Sequence, residues 1–207
     1  MAEIVQGILG GVKGKVGTVI GVTWRGKSII RALPRKTKKK ASEKQLDQRQ
    51  KFKVVAHFLS PLFALTSKYF GQYQGVKSRT NLAMSYHLVE TIQKVGGAFV
   101  IDYAKVVITK GILNGIIAPK AERKDNTIAL TWSDGVTNPL SKPDDAVTVI
   151  VYNPNEQLFY ITNMQSKRSD KKQSVVLAES WTNKNNEVWV VVTNAEQCST
   201  SMYIGKF

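Results

Sequence analysis

With 207 residues and 43% hydrophobic content, the chain is long enough for a buried core and too apolar to be a disordered protein. One cysteine, Cys198, excludes an internal disulfide, and two histidines with that cysteine fall short of a zinc site without added carboxylates. The net charge of +15 is confined to one part: residues 1–118 hold 20 Lys+Arg against five acids, whereas residues 119–207 hold ten of each.

The N-terminal MAEIVQGILGG carries an acid where a secretory signal would carry Lys or Arg, so no export peptide is expected and cytoplasmic synthesis is the default. No apolar run approaches the roughly 20 residues of a membrane helix. Seven of the 15 glycines lie between Gly7 and Gly26, and five of them recur at helical spacing. A helix there would lose about 1 kcal/mol at each glycine relative to alanine. Val16, Val19, Ile20, Val22, Ile29 and Ile30 favour strands instead. Within VTWRGKSIIR, Gly26-Lys27 suits a two-residue II′ turn that would pair Arg25 with Ser28 and Trp24 with Ile29.

PRKTKKK, residues 34–40, reads as a basic connector, and Ser42 with Gln45 forms the capping-box pattern of a helix start. Phe52, Val55, Leu59 and Leu62 then follow as one apolar stripe, and Pro61 marks a break. GQYQG is a loop. A second amphipathic helix is predicted from Ser78 to Val95, with Leu82, Tyr86, Val89 and Ile92 on one face and Gly96-Gly97 ending it. FVIDYAKVVI follows as an alternating strand that contains Asp102.

Beyond it the pattern changes to short strands: TIALTWS, AVTVIVYN, LFYIT, SVVLAES, EVWVVVTN and SMYIGKF, separated by Asn/Pro/Lys/Asp-rich turns. Ile128, Leu130 and Trp132 alternate onto one side, and Trp132 is expected in a core. The expected fold is α+β: N-terminal β-hairpins and two amphipathic helices, then an immunoglobulin- or fibronectin-III-like β-sandwich. The boundary is placed between Gly111 and Pro119, giving a basic domain 1–118 and a sandwich 119–207.

GVTWRGKS, Gly21 to Ser28, matches the phosphate-loop pattern G-x-x-x-x-G-K-[ST], and AFVID resembles a magnesium-holding strand. A phosphate loop needs a long helix after it, whose N-terminal amides complete the cradle. Here Pro34 would break that helix seven residues after Lys27, and Ile29-Ile30 favours a strand. The motif is therefore read as a hairpin turn. No nucleophile elbow, catalytic carboxylate pair or dinucleotide fingerprint is present, so a non-enzymatic protein without cofactor or metal is expected. His57 and His87 are read as helix residues, and Cys198 as a buried, inert thiol.

The remaining candidates are cations. Lys13, Lys15, Arg25, Lys27, Arg31, Arg35, Lys36, Lys38, Lys39 and Lys40 fall within one short stretch around Trp24. Such a patch neutralises phosphates, and an aromatic among the cations can stack on a base. The competing readings are a solvated basic surface and a Trp24 packed inside the hairpin, the latter being the commoner fate of an aromatic in a strand.

GILGGVKGKVGTVIGVTWRGKSIIRALPRK, SEKQLDQRQKF and IDYAKVVITKG, followed by IALTW, together resemble an uncharacterised family of Bacteroidota proteins, a domain of unknown function. The resemblance covers nearly the whole chain and implies the two-part architecture without any catalytic residue. The Q-x-x-Q-R-x-x-F piece, Gln45 to Phe52, is similar to a segment of small proteins from phage-derived loci, which implies a virion-like role. Two functions are thus expected. The first is a structural or assembly protein, a homo-oligomer in a virion, appendage or other assembled particle. The second is a nucleic-acid-binding protein that uses the basic N-terminal part.

Overall fold

The β-branched, glycine-rich start of the chain and the apolar runs near its end are both extended in the computed structural model. The structure describes residues 3–4, 11–24, 26–34, 40–133, 138–162, 166–181 and 185–207. Two units divide the chain, Met1–Glu43 and Lys44–Phe207.

The first unit is an antiparallel meander of β1 (Glu3–Ile4), β2 (Val12–Val16), β3 (Val19–Trp24) and β4 (Lys27–Ala32), in that spatial order. The hairpin at VTWRGKS is present, but its turn lies one position earlier than expected, which shifts the pairing by two residues. Thr23 faces Ser28 and Trp24 faces Lys27, so the connecting residues are Arg25 and Gly26. Gly26 has φ +78°, a conformation that costs glycine nothing and other residues much, and this fixes the turn one position earlier.

In the second unit, α1 (Glu43–Leu59) starts at the predicted place. Pro61 then occupies a single 3₁₀ turn, Ser60–Leu62, before α2 (Phe63–Tyr69). Of the predicted stripe, Val55, Leu59 and Leu62 are buried, while Phe52 is exposed. The next helix, α3 (Arg79–Glu90), stops five residues short of the predicted end. Ile92–Val95 (β5) instead pairs with Ala98–Ile101 (β6), because Gly96 and Gly97 both take positive φ, as a two-residue I′ hairpin turn requires. The buried positions of α3 are Ala83 and His87, and Val89 points outward at 74% exposure. The predicted strand through Asp102 is also shorter. Asp102 ends it and caps the 3₁₀ turn Tyr103–Lys105 by accepting from the Ala104 amide.

The sandwich follows. One sheet holds β7 (Ile117–Lys124), β8 (Thr127–Ser133) and β12 (Lys172–Val176), with β8 central. The other runs β10 (Leu158–Ile161), β9 (Ala146–Asn153), β13 (Glu187–Thr193), β14 (Met202–Lys206), and the short β11 (Ser166–Lys167) also pairs with β9. All neighbours are antiparallel, and the chain switches sheets between β8 and β9, between β11 and β12, and between β12 and β13. This is the Greek-key arrangement of an immunoglobulin/fibronectin-III-like sandwich, so the fold is α+β as expected.

Strand β8 alternates, with Ile128, Leu130 and Trp132 buried and Ala129, Thr131 and Ser133 exposed. Strands β9 and β13 do not: all of β13 and all but the first residue of β9 are buried. Val147, Val149, Val151, Val188, Val190 and Val192 pack against Ile128, Leu130, Trp132 and Val175 of the smaller sheet. Ile150, Tyr152, Trp189 and Val191 turn the other way and pack with Val55, Phe58, Leu62, Phe70 and Ala83. The second unit is therefore three layers, helices on a sheet on a sheet. The compact units divide at Glu43/Lys44, and within the second the helical stripe buries itself on the outer face of the sandwich.

Two buried polar groups matter for stability. Arg168 donates to the carbonyls of Gly115 at 2.8 Å and Asn114 at 2.7 Å and to Asp145 Oδ2 at 3.3 Å. His87 is fully buried, with Nδ1 2.8 Å from the Ala83 carbonyl and Nε2 without a partner. Burial holds its pKa below the ordinary value, against an opposing effect of the Ala83 hydrogen bond. The unfolded chain then takes up the proton more readily than the fold does, so this stability is complete above about pH 6.5 and lost as pH falls below it. Urea midpoints measured between pH 7.5 and 5.5 are expected to fall more steeply for the parent than for His87→Leu. Equal slopes would refute this.

Candidate interface on the basic N-terminal sheet

Residues directly opposite one another in adjacent strands share a face, as do alternate residues along a strand. Lys15 lies opposite Ile20, which lies opposite Arg31; Val22 lies opposite Ile29 and Trp24 opposite Lys27. One face of the β2–β4 sheet thus presents Lys15, Lys27 and Arg31 interleaved with Ile20, Val22, Trp24 and Ile29. The other carries Val16, Val19, Ile30 and Ala32 with Thr23 and Ser28. Lys13 stands in register with Glu3 on β1, and Lys40 is exposed next to the start of α1.

The sequence-predicted cations therefore separate into two groups. The structure brings Lys15, Lys27 and Arg31 onto one face and places Lys13 on the same strand as Lys15. Arg25, Arg35, Lys36, Lys38 and Lys39 lie outside the described residues. Trp24, expected inside the hairpin, is 48% exposed instead. The reason is that the sheet has little interior to offer: among the described residues of this unit Gly21 alone is buried, and all six residues of β4 are exposed. Among the described residues strand β4 pairs only with β3.

The phosphate-loop match fails on geometry. Gly21–Trp24 and Lys27-Ser28 lie in paired strands, so no helix N-terminus stands behind Lys27 to receive a phosphate. Cys198 is buried and donates to the Tyr69 carbonyl at 3.2 Å. Burial pushes its thiol up to about 11, against the electrostatic pull of Arg79, which suits an inert group. Among the described residues no three His, Cys, Asp or Glu side chains group as a metal site would require. No described helix is long and apolar enough to cross a membrane.

Sequence reasoning missed one feature. Gln45, Gln48, Arg49 and Phe52 line a shallow depression on α1, and Phe52 is 51% exposed. Their i, i+3, i+4, i+7 spacing was readable as a single helical face. Phe52 was instead expected inward, as the first residue of the apolar stripe Phe52, Val55, Leu59 and Leu62.

The fold and these sites define a sandwich-containing α+β protein with an exposed basic sheet. The chain belongs to the family of unknown function DUF6266, whose model matches residues 11–205. No curated protein matches it. A solved structure from the computer-based redesign of a β-sandwich protein is similar at 18% identity, covering 46% of this chain and 94% of that one, with a TM-score of 0.32. That likeness is too slight to add to the fold read from the strand pairing.

Proposed function

We propose that the protein is a non-enzymatic assembly component, a phage-like virion or appendage subunit, whose N-terminal sheet makes protein–protein contacts and turns its basic face to an acidic partner. The observation that carries this reading is β4: a six-residue edge strand, exposed throughout, with Ile29 at 37% and Ile30 at 66% exposure. An exposed edge strand is a template for pairing with another chain, and Ile29 and Ile30 give this one an apolar centre between Lys27 and Arg31. A small sheet with no interior of its own is marginal until another surface covers it. The virion-like destination rests on the resemblance of Gln45 to Phe52 to proteins of phage-derived loci and on the outward face those residues form.

Light scattering on the purified protein tests the assembly reading. The parent is expected to self-associate with little dependence on salt, and Ile30→Lys to shift it toward monomer. A parent that stays monomeric at all concentrations would sink it.

The second reading, nucleic-acid binding, is favoured by Trp24 lying among Lys15, Lys27 and Arg31, since an exposed aromatic between cations serves as a stacking platform for single strands. It predicts binding that weakens steeply with salt and a raised A260/A280 ratio in the purified protein. Changing Lys36, Lys38, Lys39 and Lys40 to Ser should weaken retention of nucleic acid, and Trp24→Ala should do so through lost stacking. Retention equal to the parent in both variants would exclude this reading.

A further inference from the structure

A cavity of about 330 Å³ opens in the second unit where four segments meet: the end of α2 with the loop after it, the first residue of α3, residues 110–112, and the turn between β13 and β14. Its walls are fixed by backbone pairing. Lys110 N donates to the Tyr69 carbonyl at 3.0 Å and Gly71 N to the Lys110 carbonyl at 2.7 Å, while Leu113 N donates to the Cys198 carbonyl at 3.0 Å. Lys68, Arg79 and Lys110 all line it, and Glu196 is the only acid among the lining residues.

Each cation rests over a tyrosine ring: Lys68 over Tyr69 at 4.8 Å, Arg79 over Tyr73 at 5.5 Å, and Lys110 over Tyr86 at 5.9 Å. Ring faces hold cations in place without neutralising them. Among the described residues none of the three has a carboxylate within ion-pair distance, and Arg79 Nε is shielded from solvent with no hydrogen-bond partner. A guanidinium donor left unpaired in a wall costs free energy unless something accepts from it.

We infer that this cavity binds a small phosphate-bearing anion, held by Lys68, Arg79 and Lys110. Three positive charges against one acid leave an excess of two, the charge of a phosphate dianion. Arg offers a planar pair of donors to two oxygens, and each Lys a point charge to another, so a tetrahedral oxyanion uses all three. The volume lies at the lower end of small-ligand sites, enough for phosphate with a modest organic group. Cys198 forms part of the floor and takes no part in chemistry. The inference is independent of the N-terminal sheet.

The test is calorimetric titration of the full chain with inorganic phosphate at ionic strength held constant by sodium chloride, with malonate as a second probe. Saturable one-site binding below about 1 mM is expected. Arg79→Gln and Lys110→Gln should each weaken it about tenfold, the loss of one charge-assisted hydrogen bond. Lys124→Gln, on β7, should leave it unchanged. Lys68 and Lys110 are exposed, so Lys68→Gln and Lys110→Gln keep the test valid if Arg79→Gln fails to fold. No saturable heat with phosphate, equal affinity in Lys68→Gln and Lys110→Gln, or tighter binding of malonate than of phosphate would each overturn the assignment.

Discussion

Replacing Asp145 by Ala is expected to cost the fold about 3–5 kcal/mol, because it strands a buried guanidinium. The Asp145 and Arg168 side chains are 2% and 7% exposed, and their separation is 3.3 Å. Asp145 Oδ2 also accepts from the Lys142 amide at 2.9 Å. The Arg168 carbonyl takes the Trp132 indole N–H at 2.8 Å, so the pair is wired to the core tryptophan of the smaller sheet. The double variant Asp145→Leu/Arg168→Met removes both charges and should lose less than Asp145→Ala. It still leaves the Asn114 and Gly115 carbonyls without their donor. Urea unfolding gives the order directly: an Asp145→Ala variant as stable as the parent would show that water, not Asp145, compensates Arg168.

A fragment of residues 44–207 is expected to unfold in one cooperative transition, and a fragment of residues 119–207 to show none. The shorter piece contains every strand of the sandwich except the first two residues of β7. Without the helices, however, Ile150, Tyr152, Trp189 and Val191 would face water. Burying each such side chain contributes about 1.5–3 kcal/mol, so four together rival the roughly 5–15 kcal/mol stability of a whole domain. Circular dichroism and tryptophan fluorescence in urea distinguish the cases. A sharp, coincident transition for residues 119–207 would mean the helical layer is an accessory.

Much of this architecture was legible because local pattern and burial agree. TIALTWS alternates and became a half-buried strand; Pro61 and the Ser42 start set the first helix. Errors arose where one local signal had two physical outcomes. Gly96-Gly97 can end a helix or turn a hairpin, and only the pairing of Ile92–Val95 with Ala98–Ile101 decides between them. AVTVIVYN and EVWVVVT are apolar at consecutive positions, which marks strands covered on both faces. Taken at face value, those runs would have called for a third layer and moved the boundary out of the segment near residue 118. At the candidate interface, the cations were visible as a cluster, but their cross-strand neighbours depend on register. Moving the turn one position earlier at Gly26 shifts the pairing by two residues, which changes Trp24's partner from Ile29 to Lys27 and leaves each residue on its face.

The sheet sandwiched between helices and strands also dictates an order of events during synthesis. Within the second unit the helices leave the ribosome first, with Val55, Phe58 and Leu62 uncovered, and the strands that cover them follow. The Cys198 thiol reaches a carbonyl 129 positions earlier, at Tyr69, and Thr109 bonds to the Ser199 carbonyl 90 positions on. Such distant contacts delay the rate-limiting step of folding, since the chain must close long loops before they reward it. A ribosome stalled before β13 therefore displays a greasy helical layer lacking Trp189 and Val191 of its covering sheet, a species prone to aggregate and suited to capture by a chaperone.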